Sequence, residues 1–450
     1  MFIERIKQML VSKDKRNVLL RKNILFSAFL KIIGLSTSLI IVPVTLDYLN
    51  NEVYGIWLTM SSILYWFAFF DIGLGNGMRN YLTEAISIKN YDEAKSIIST
   101  TFFLLFIIAL VLGLVVGVLL YAIDLNSLFN TSLISGGDLR EIMLVASAFT
   151  LMMFVVKNLG MVFVAMQKYA INDLLLVSGN VLALLIIYVL TKTTAGNLLY
   201  VVLAFTATPV LVFLLAAFPT FAKYANIRPD FRLIDHVLAK KVVGKGLGFF
   251  LIQITSCIVI FGSSNLFITQ FCGPSDVTVY NIAFKYFHLL AIGYTIVISP
   301  LWNAYTDAYV KGDMQWIGKT FNRALKIWLI TVLGGVVMLV VSGLFYKLWI
   351  GSVVYVPFSV SVSVLLFICA FNLNNCVTYL LNGLNKICVQ ICTSVVFTVL
   401  FISAMFVGGH RLSIEAVAVC MAISYFGMSL IHFYQCRLLI NNKAKGVWNK

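Results

Sequence analysis

Twelve apolar stretches follow one another along the chain, at 24–46, 53–76, 97–122, 140–166, 173–191, 196–221, 246–271, 277–301, 323–347, 355–381, 386–408 and 412–436. A bilayer's hydrocarbon core is ~30 Å thick, and an α-helix needs about 20 apolar residues to cross it. The pattern therefore predicts an all-α polytopic membrane protein with about twelve transmembrane helices. The polar segments between the spans test the count. With the first residues placed inside, the inside set is the N-terminal segment, the loops near 77–96, 167–172, 222–245, 302–322 and 382–386, and the tail. That set holds about 25 of the 33 Lys and Arg residues, whereas the outside loops hold about four, Arg140, Lys192, Lys347 and Arg411. One missed helix would invert every later loop, so both ends are expected on the cytoplasmic side.

The order of spans divides the chain into a basic N-terminal segment (1–22), a first lobe of six helices (23–221), a cytoplasmic linker (222–245), a second lobe of six (246–436) and a basic tail (437–450). The two lobes echo each other. EVYGIWLTM, a span and RNYLTEAISIKNYDEAKSI in the first correspond to GPSDVTVYNIAFKY, a span and NAYTDAYVKGDMQWIGKTF in the second. Tyr54 matches Tyr280, Lys89 matches Lys311 and Lys95 matches Lys319. Six spans per lobe is an even number, so the lobes share one orientation and form a parallel pseudo-two-fold repeat. Such a repeat suits alternating access at a site shared by two rocking bundles. In the linker, Pro229 sits in a basic stretch compatible with a short amphipathic helix.

Composition agrees with the spans. Hydrophobic residues make up 61% and charged residues 11% of the chain, and the mean hydropathy is +0.96, far from the soluble average of about 45–50% and 25%. A formal charge of +15 would point to nucleic acid in a soluble protein. Here the cytoplasmic loops account for it, and no nucleic-acid partner is expected. Eight cysteines lie mostly within apolar runs, without a Cys-x-x-Cys pair or a metal-ligand set, and there is no Walker A loop. No cofactor, metal or catalytic residue is expected. Residues 1–23 have neither the apolar core nor the cleavage site of a signal peptide. The helical spacing of Phe2, Ile3, Ile6, Met9 and Leu10 fits a short helix on the membrane face; a frayed basic tail is the other reading.

Charges deep in spans are costly and mark function by default. Lys31 lies about 10 Å into span one, on a face with Ser27, Gly34 and Ser38. It lines a water-filled cavity or snorkels to the interface. Lys285 lies about 12 Å in from the outer end of span eight, where snorkelling is less comfortable, and His288 follows one turn on. His288 either titrates in a proton-coupled cycle or makes a packing hydrogen bond. Lys157 sits beside Asn158 in span four. Span seven carries Gln253, Ser256, Ser263, Ser264 and Asn265, and span ten carries Asn372, Asn374 and Asn375. These polar groups join helices or, for some, meet a sugar. The stretch FFDIGLGNGMRNYLTEA closes span two with Asp71, Arg79 and the glycines 73, 75 and 77, which allow close packing or a break. Asp71 is the one deep carboxylate set against three deep lysines, so a cavity with excess positive charge and an anionic substrate is expected.

Residues 54–100 carry a family resemblance. Tyr54-Gly55-x-Trp57, Asp71-x-Gly73-Leu74-Gly75-Asn76, Arg79-Asn80 and Tyr91-Asp92-Glu93-Ala94-Lys95 resemble the matching region of bacterial Wzx-type polysaccharide flippases. These belong to the multidrug/oligosaccharidyl-lipid/polysaccharide exporter superfamily. The resemblance implies a V-shaped, MATE-like pair of six-helix lobes in the bacterial inner membrane. It implies cavity cations on helices one and eight, matched by Lys31 and Lys285. It also implies a substrate of undecaprenyl-pyrophosphate-linked oligosaccharide, an O-antigen, capsule or exopolysaccharide repeat unit, moved from the cytoplasmic to the outer leaflet. Lys31, Lys285, Lys157 and Asn265 are then the substrate-binding candidates, and His288, Asp71 and Arg79 the coupling or gating candidates. Membrane lipids, a proton or sodium counter-ion and polysaccharide assembly proteins are the candidate partners. A drug/cation antiporter of the same superfamily is the first alternative, set back by the scarcity of deep acids. A membrane-embedded polysaccharide polymerase or ligase is the second, set back by the short outer loops.

Overall fold

The computed structural model describes residues 15–71, 74–235, 255, 260 and 262–449, and every regular element among them is helical. In chain order the helices are α1 (Lys15–Leu49), α2 (Asn51–Tyr65), a 3-10 turn (Trp66–Asp71), α3 (Leu74–Ser87), α4 (Tyr91–Ala122) and α5 (Leu125–Phe129). Then come α6 (Gly136–Val156), α7 (Asn158–Ala165), α8 (Tyr169–Thr193), α9 (Leu198–Lys223) and α10 (Ser264–Phe271). The last five are α11 (Pro274–Val310), α12 (Met314–Ile350), α13 (Phe358–Gly383), α14 (Cys388–Gly408) and α15 (Ile414–Ile440). Among the described residues, eleven helical segments are long and apolar enough to cross a membrane. They correspond to eleven of the twelve stretches. The remaining one, 246–271, lies mostly outside the described residues, and its described end is α10. The expected N-terminal membrane-face helix (residues 2–10) and linker residues 236–245 also lie outside them.

The differences from the sequence pattern have physical causes. The second span is not a single helix to residue 76. It ends at Asp71 through the 3-10 turn, and α3 starts afresh at Leu74. The fourth breaks at Lys157. The expected loop at 302–322 is instead the ends of α11 and α12, each of 37 residues, because hydropathy marks only the part of a helix inside the bilayer. A tight turn joins them, with Gly312 at φ +73° and the Asp313 carboxylate accepting the Trp316 N–H. The α3–α4 turn repeats this design, with Lys89 at φ +60° and the Asn90 side chain accepting the Glu93 N–H. Each device caps a helix N-terminus that would otherwise leave donors open. Tyr54 and Tyr280, matched in sequence, are both buried.

The chain forms two compact units. The first comprises Met1–Asn50, Phe70–Leu125 and Ile134–Leu247; the second comprises Asn51–Phe69, Asn126–Leu133 and Gly248–Lys450. In the first unit α1 packs on α8, α8 on α9, α9 on α6, α6 on α4, and α3 against both α4 and α7. Met78, Leu82, Ile97, Ile98, Val162 and Ala165 form a core under the ends of α3, α4 and α7, and Ile227 from the linker completes it. The described linker forms short 3-10 turns, Ala225–Ile227 and Phe231–Leu233, not an amphipathic helix. It is fastened to α4, where Ser99 Oγ accepts the Asp230 N–H (2.8 Å) and Thr100 Oγ1 accepts the Asp235 N–H (2.9 Å). Lys168, in the α7–α8 turn, donates to the Tyr224 hydroxyl and so pulls the phenol below its usual pKa.

In the second unit α13 is the buried centre, packed by α11, α12 and α15, while α2 lies against α11. The outer face of α12 exposes Leu329, Ile330, Leu333, Val337, Val340 and Leu344, an apolar surface suited to lipid. Gly55 is where α2 meets the start of α11. A Cβ there would lie 1.8 Å from the Pro274 carbonyl oxygen, whereas at Gly117 it would meet nothing within 4 Å. Gly55→Ala is therefore expected to lower stability by about 1–3 kcal/mol through overpacking. Gly117→Ala should leave the melting temperature of the purified protein unchanged. Equal melting of the two variants would show that the approach at Gly55 is not tight.

Candidate functional site

The first unit gathers its polar groups at two helix breaks. A break inside a bilayer must satisfy its backbone groups internally, and side chains do so here. Asp71 Oδ1 accepts the Gly75 N–H at 3.1 Å, so the carboxylate caps α3 and meets the positive end of that helix. At the break between α6 and α7, Asn158 is buried, and its Nδ2 donates to the Phe154 and Val155 carbonyls at 3.1 and 3.4 Å. Gly75 brings the two breaks together, since a Cβ there would lie 2.5 Å from Asn158 Oδ1 and 3.3 Å from Asp71 Oδ2. Lys157 occupies the second break. Its charge interacts with that of Asp71, and its ammonium lies 5.5 Å from the Phe154 ring centroid. Asp71 and Lys157 are thus neighbours, with Asn158 between their helices. Arg79 lies about one and a half turns into α3, on the neighbouring Asn80, with Nε and Nη2 at 3.2 and 3.1 Å from Asn80 Oδ1.

Lys31 is exposed on α1. The polar stripe around it does not form a single open face. Ser27 donates to Asp173 Oδ2 on α8, a Cβ at Gly34 would lie 3.3 Å from Val177 on the same helix, and Ser38 donates to its own backbone at Leu35. Asp173 corrects the charge balance read from the sequence: Asp71 is not the sole carboxylate set against Lys31 and Lys157. Asp173 falls at the edge of its apolar stretch, where an acid is unremarkable, and only the pairing of α1 with α8 shows its relation to span one. Asn172 Nδ2 donates to Asp173 Oδ1 at 3.4 Å, and Gly160 on α7 leaves room for Asn172, whose Oδ1 would be 1.9 Å from a Cβ there. The helices α1, α8, α7 and α3 therefore meet in turn, through Ser27 and Asp173, Asn172 and Gly160, and Asn158 and Gly75.

The second unit holds Asn265, Lys285 and His288. Asn265 is buried with its amide fully engaged. Oδ1 accepts from Asn281 Nδ2 at 2.8 Å, and Nδ2 donates to Ser62 Oγ at 2.7 Å and the Leu58 carbonyl at 3.3 Å. It ties α10 to α2 and α11. Lys285 follows Asn281 by one turn of α11 and is half-buried. His288 stacks on Phe284 with centroids 4.9 Å apart and 23° between planes, and Phe284 stacks in turn on Tyr280 and Phe367. This aromatic run fixes the face of α11 that carries Lys285. Of the asparagines in span ten, Asn372 and Asn374 are buried, and the Oδ1 of each has no hydrogen-bond partner among the described residues. His432 on α15, which no motif in the sequence marks, is almost fully buried with Nε2 2.8 Å from Thr393 Oγ1 on α14.

The fold and these intramembrane polar groups define a class: an all-helical, multi-pass membrane protein with the MATE fold. A solved inward-facing multidrug resistance MATE family transporter of the MOP superfamily superposes with a TM-score of 0.74 at 16% identity, over 92% of this chain and 98% of that one. The outward-facing form of such a transporter gives 0.62 at 16% identity, over 97% and 98%. No protein-family model matches the chain. Among curated proteins it is similar to the "Putative O-antigen transporter" of Salmonella typhi, 26% identical over 329 residues, 70% of each chain. It is also similar to the protein of that name from Salmonella typhimurium strain LT2, 25% identical over 349 residues, 75% of this chain and 76% of that one. Those relatives are of the kind that residues 54–100 resemble.

Proposed function

We propose that the protein is a flippase that carries undecaprenyl-pyrophosphate-linked oligosaccharide from the cytoplasmic to the outer leaflet of the bacterial inner membrane by alternating access, with both termini cytoplasmic. The observation that carries this reading is the similarity, over 70% or more of the chain, to proteins named as O-antigen transporters. The intramembrane cations give it a chemistry. A sugar–pyrophosphate head cannot enter hydrocarbon, because its polar groups would lose water without replacement. Lys31 and Lys285 are the cations proposed to supply charge for the pyrophosphate, while the polyprenyl tail stays in lipid. Asn265, whose amide is engaged, positions α10 and α11 instead of touching the sugar. The membrane potential assists, since two negative charges moving outward across 100 mV gain about 5 kcal/mol. A proton or sodium counter-ion is the other source of drive.

A strain lacking this chain is expected to accumulate undecaprenyl-pyrophosphate oligosaccharide and to lose surface polysaccharide, both reversed when the chain is restored. Unchanged lipid-linked sugar and surface polymer, with altered drug or cation sensitivity, would replace this reading with the drug/cation antiporter. One observation favours that second reading: the first unit places two carboxylates, Asp71 and Asp173, at or near the ends of spans, where a cation exporter has use for acids. Neither lies at mid-span, which keeps the flippase first.

A further inference from the structure

Ser27 and Gly34 mark the face of α1 that meets α8, through Asp173 and Val177 respectively. Lys31 lies between them along the helix and on the flank of that face, about 40° round from Ser27 and about 60° from Gly34. Side chains on a helix lean toward its N-terminus, so the Lys31 stem leans back toward the level of Ser27 and of the carboxylate bonded to it. The rise from Ser27 to Lys31 is about 6 Å, within the reach of an extended lysine. In this structure Lys31 is exposed, and Asp173 is held by the Ser27 hydroxyl and the Asn172 amide.

We propose that Asp173 is the counter-charge to which Lys31 returns when no anionic head group is bound, and that Lys31 exchanges this carboxylate for a phosphate oxygen of the cargo. The inference rests on the reading that the cargo is a pyrophosphate-linked lipid. An ammonium at this depth without a partner is costly, and Asp173 removes that cost in the empty state. When Lys31 leaves for a phosphate, Ser27 and Asn172 still donate to the carboxylate, so it is not left bare. A pyrophosphate carries more charge than one carboxylate and wins while it is present. During release, Asp173 competes for Lys31 and shortens the stay of the head group. Asp173 is thus a positioning residue that weakens binding and speeds unloading.

The test uses the full chain, purified in detergent, with two readouts. One is binding of geranylgeranyl pyrophosphate. The other, taken without ligand, is the rate of Lys31 acetylation by acetic anhydride, read by mass spectrometry. Asp173→Asn is expected to tighten binding about three- to tenfold. It should speed Lys31 acetylation by a similar factor, because the amine loses the carboxylate that covers it. Asp173→Glu should restore both values, which a variant that merely misfolds would not permit. In a Lys31→Ala background, Asp173→Asn should change binding by less than about twofold, since the effect runs through Lys31. Weaker binding by Asp173→Asn, unchanged acetylation, or an effect that survives in Lys31→Ala would overturn the proposal. Acetylation that responds as stated while the wild type ignores the pyrophosphate lipid would overturn the cargo reading and the exchange, leaving the Lys31–Asp173 pair in place.

Discussion

Replacing Lys285 with alanine is expected to cut delivery of lipid-linked oligosaccharide at least about tenfold. Lys285→Arg should keep most activity, and Lys285→Met should behave like alanine. A charge pair at about 4 Å and an effective dielectric of ~20 is worth roughly 4 kcal/mol, a ceiling near a thousandfold. Desolvating the two charges takes part of that back, so tenfold is the floor. The framework around Lys285 is built to hold it. Asn281, one turn before it, is locked to Asn265, and Phe284 beside it is stacked between Tyr280 and His288. The measurement is the ratio of surface polysaccharide to accumulated lipid-linked precursor in a complemented deletion strain. Full complementation by Lys285→Met would remove the second unit's cation from the cargo site while leaving the flippase reading intact. Failure of Lys285→Arg together with Lys285→Met would point to the shape of the lysine, not its charge.

What the sequence disclosed follows from the range of each signal. Spans are legible because a helix that crosses lipid must be apolar over its own length, whatever it packs against. The turns at Lys89 and Gly312 were visible as a weak repeat because capping chemistry is local. The end of the second span was foreshadowed by glycines, but its 3-10 turn, Trp66–Asp71, is as apolar as any helix and carries no proline. The break at Lys157 was hidden for a similar reason: Asn158, which satisfies the freed carbonyls, looks like any polar residue in a span. Asp173 was missed because its meaning depends on α1 lying against α8, and those helices are separated by more than a hundred residues. Asn265 was visible as a polar residue, but whether its amide faces a sugar or another helix is decided by Ser62 and Asn281, which only the packing brings to it.

The pairing of the two breaks leads to a second large effect. Asp71→Asn is expected to destabilise the protein by about 2–4 kcal/mol, and Lys157→Gln by a similar amount, because each leaves the other's charge in the bilayer without its opposite. Asp71→Asn also weakens the charged cap on α3, although the amide can still accept the Gly75 N–H. The double variant Asp71→Asn/Lys157→Gln should recover most of the loss, since it removes both charges together. The checks are the melting temperature in detergent and the level of folded protein in membranes, analysed as a double-mutant cycle. Additive losses would show that the two groups act apart, and Lys157 would then return to the set of cations available to cargo. Recovery of stability without recovery of oligosaccharide delivery would show something more specific. The hinge between α6 and α7 and the cap on α3 meet at Gly75, so a charge pair spanning them can hold both breaks in one arrangement and let both go when it parts. A transport cycle needs such an element, whereas a structural pair can be replaced by two neutral amides without loss. The stable, inactive double variant therefore separates a gate from a brace.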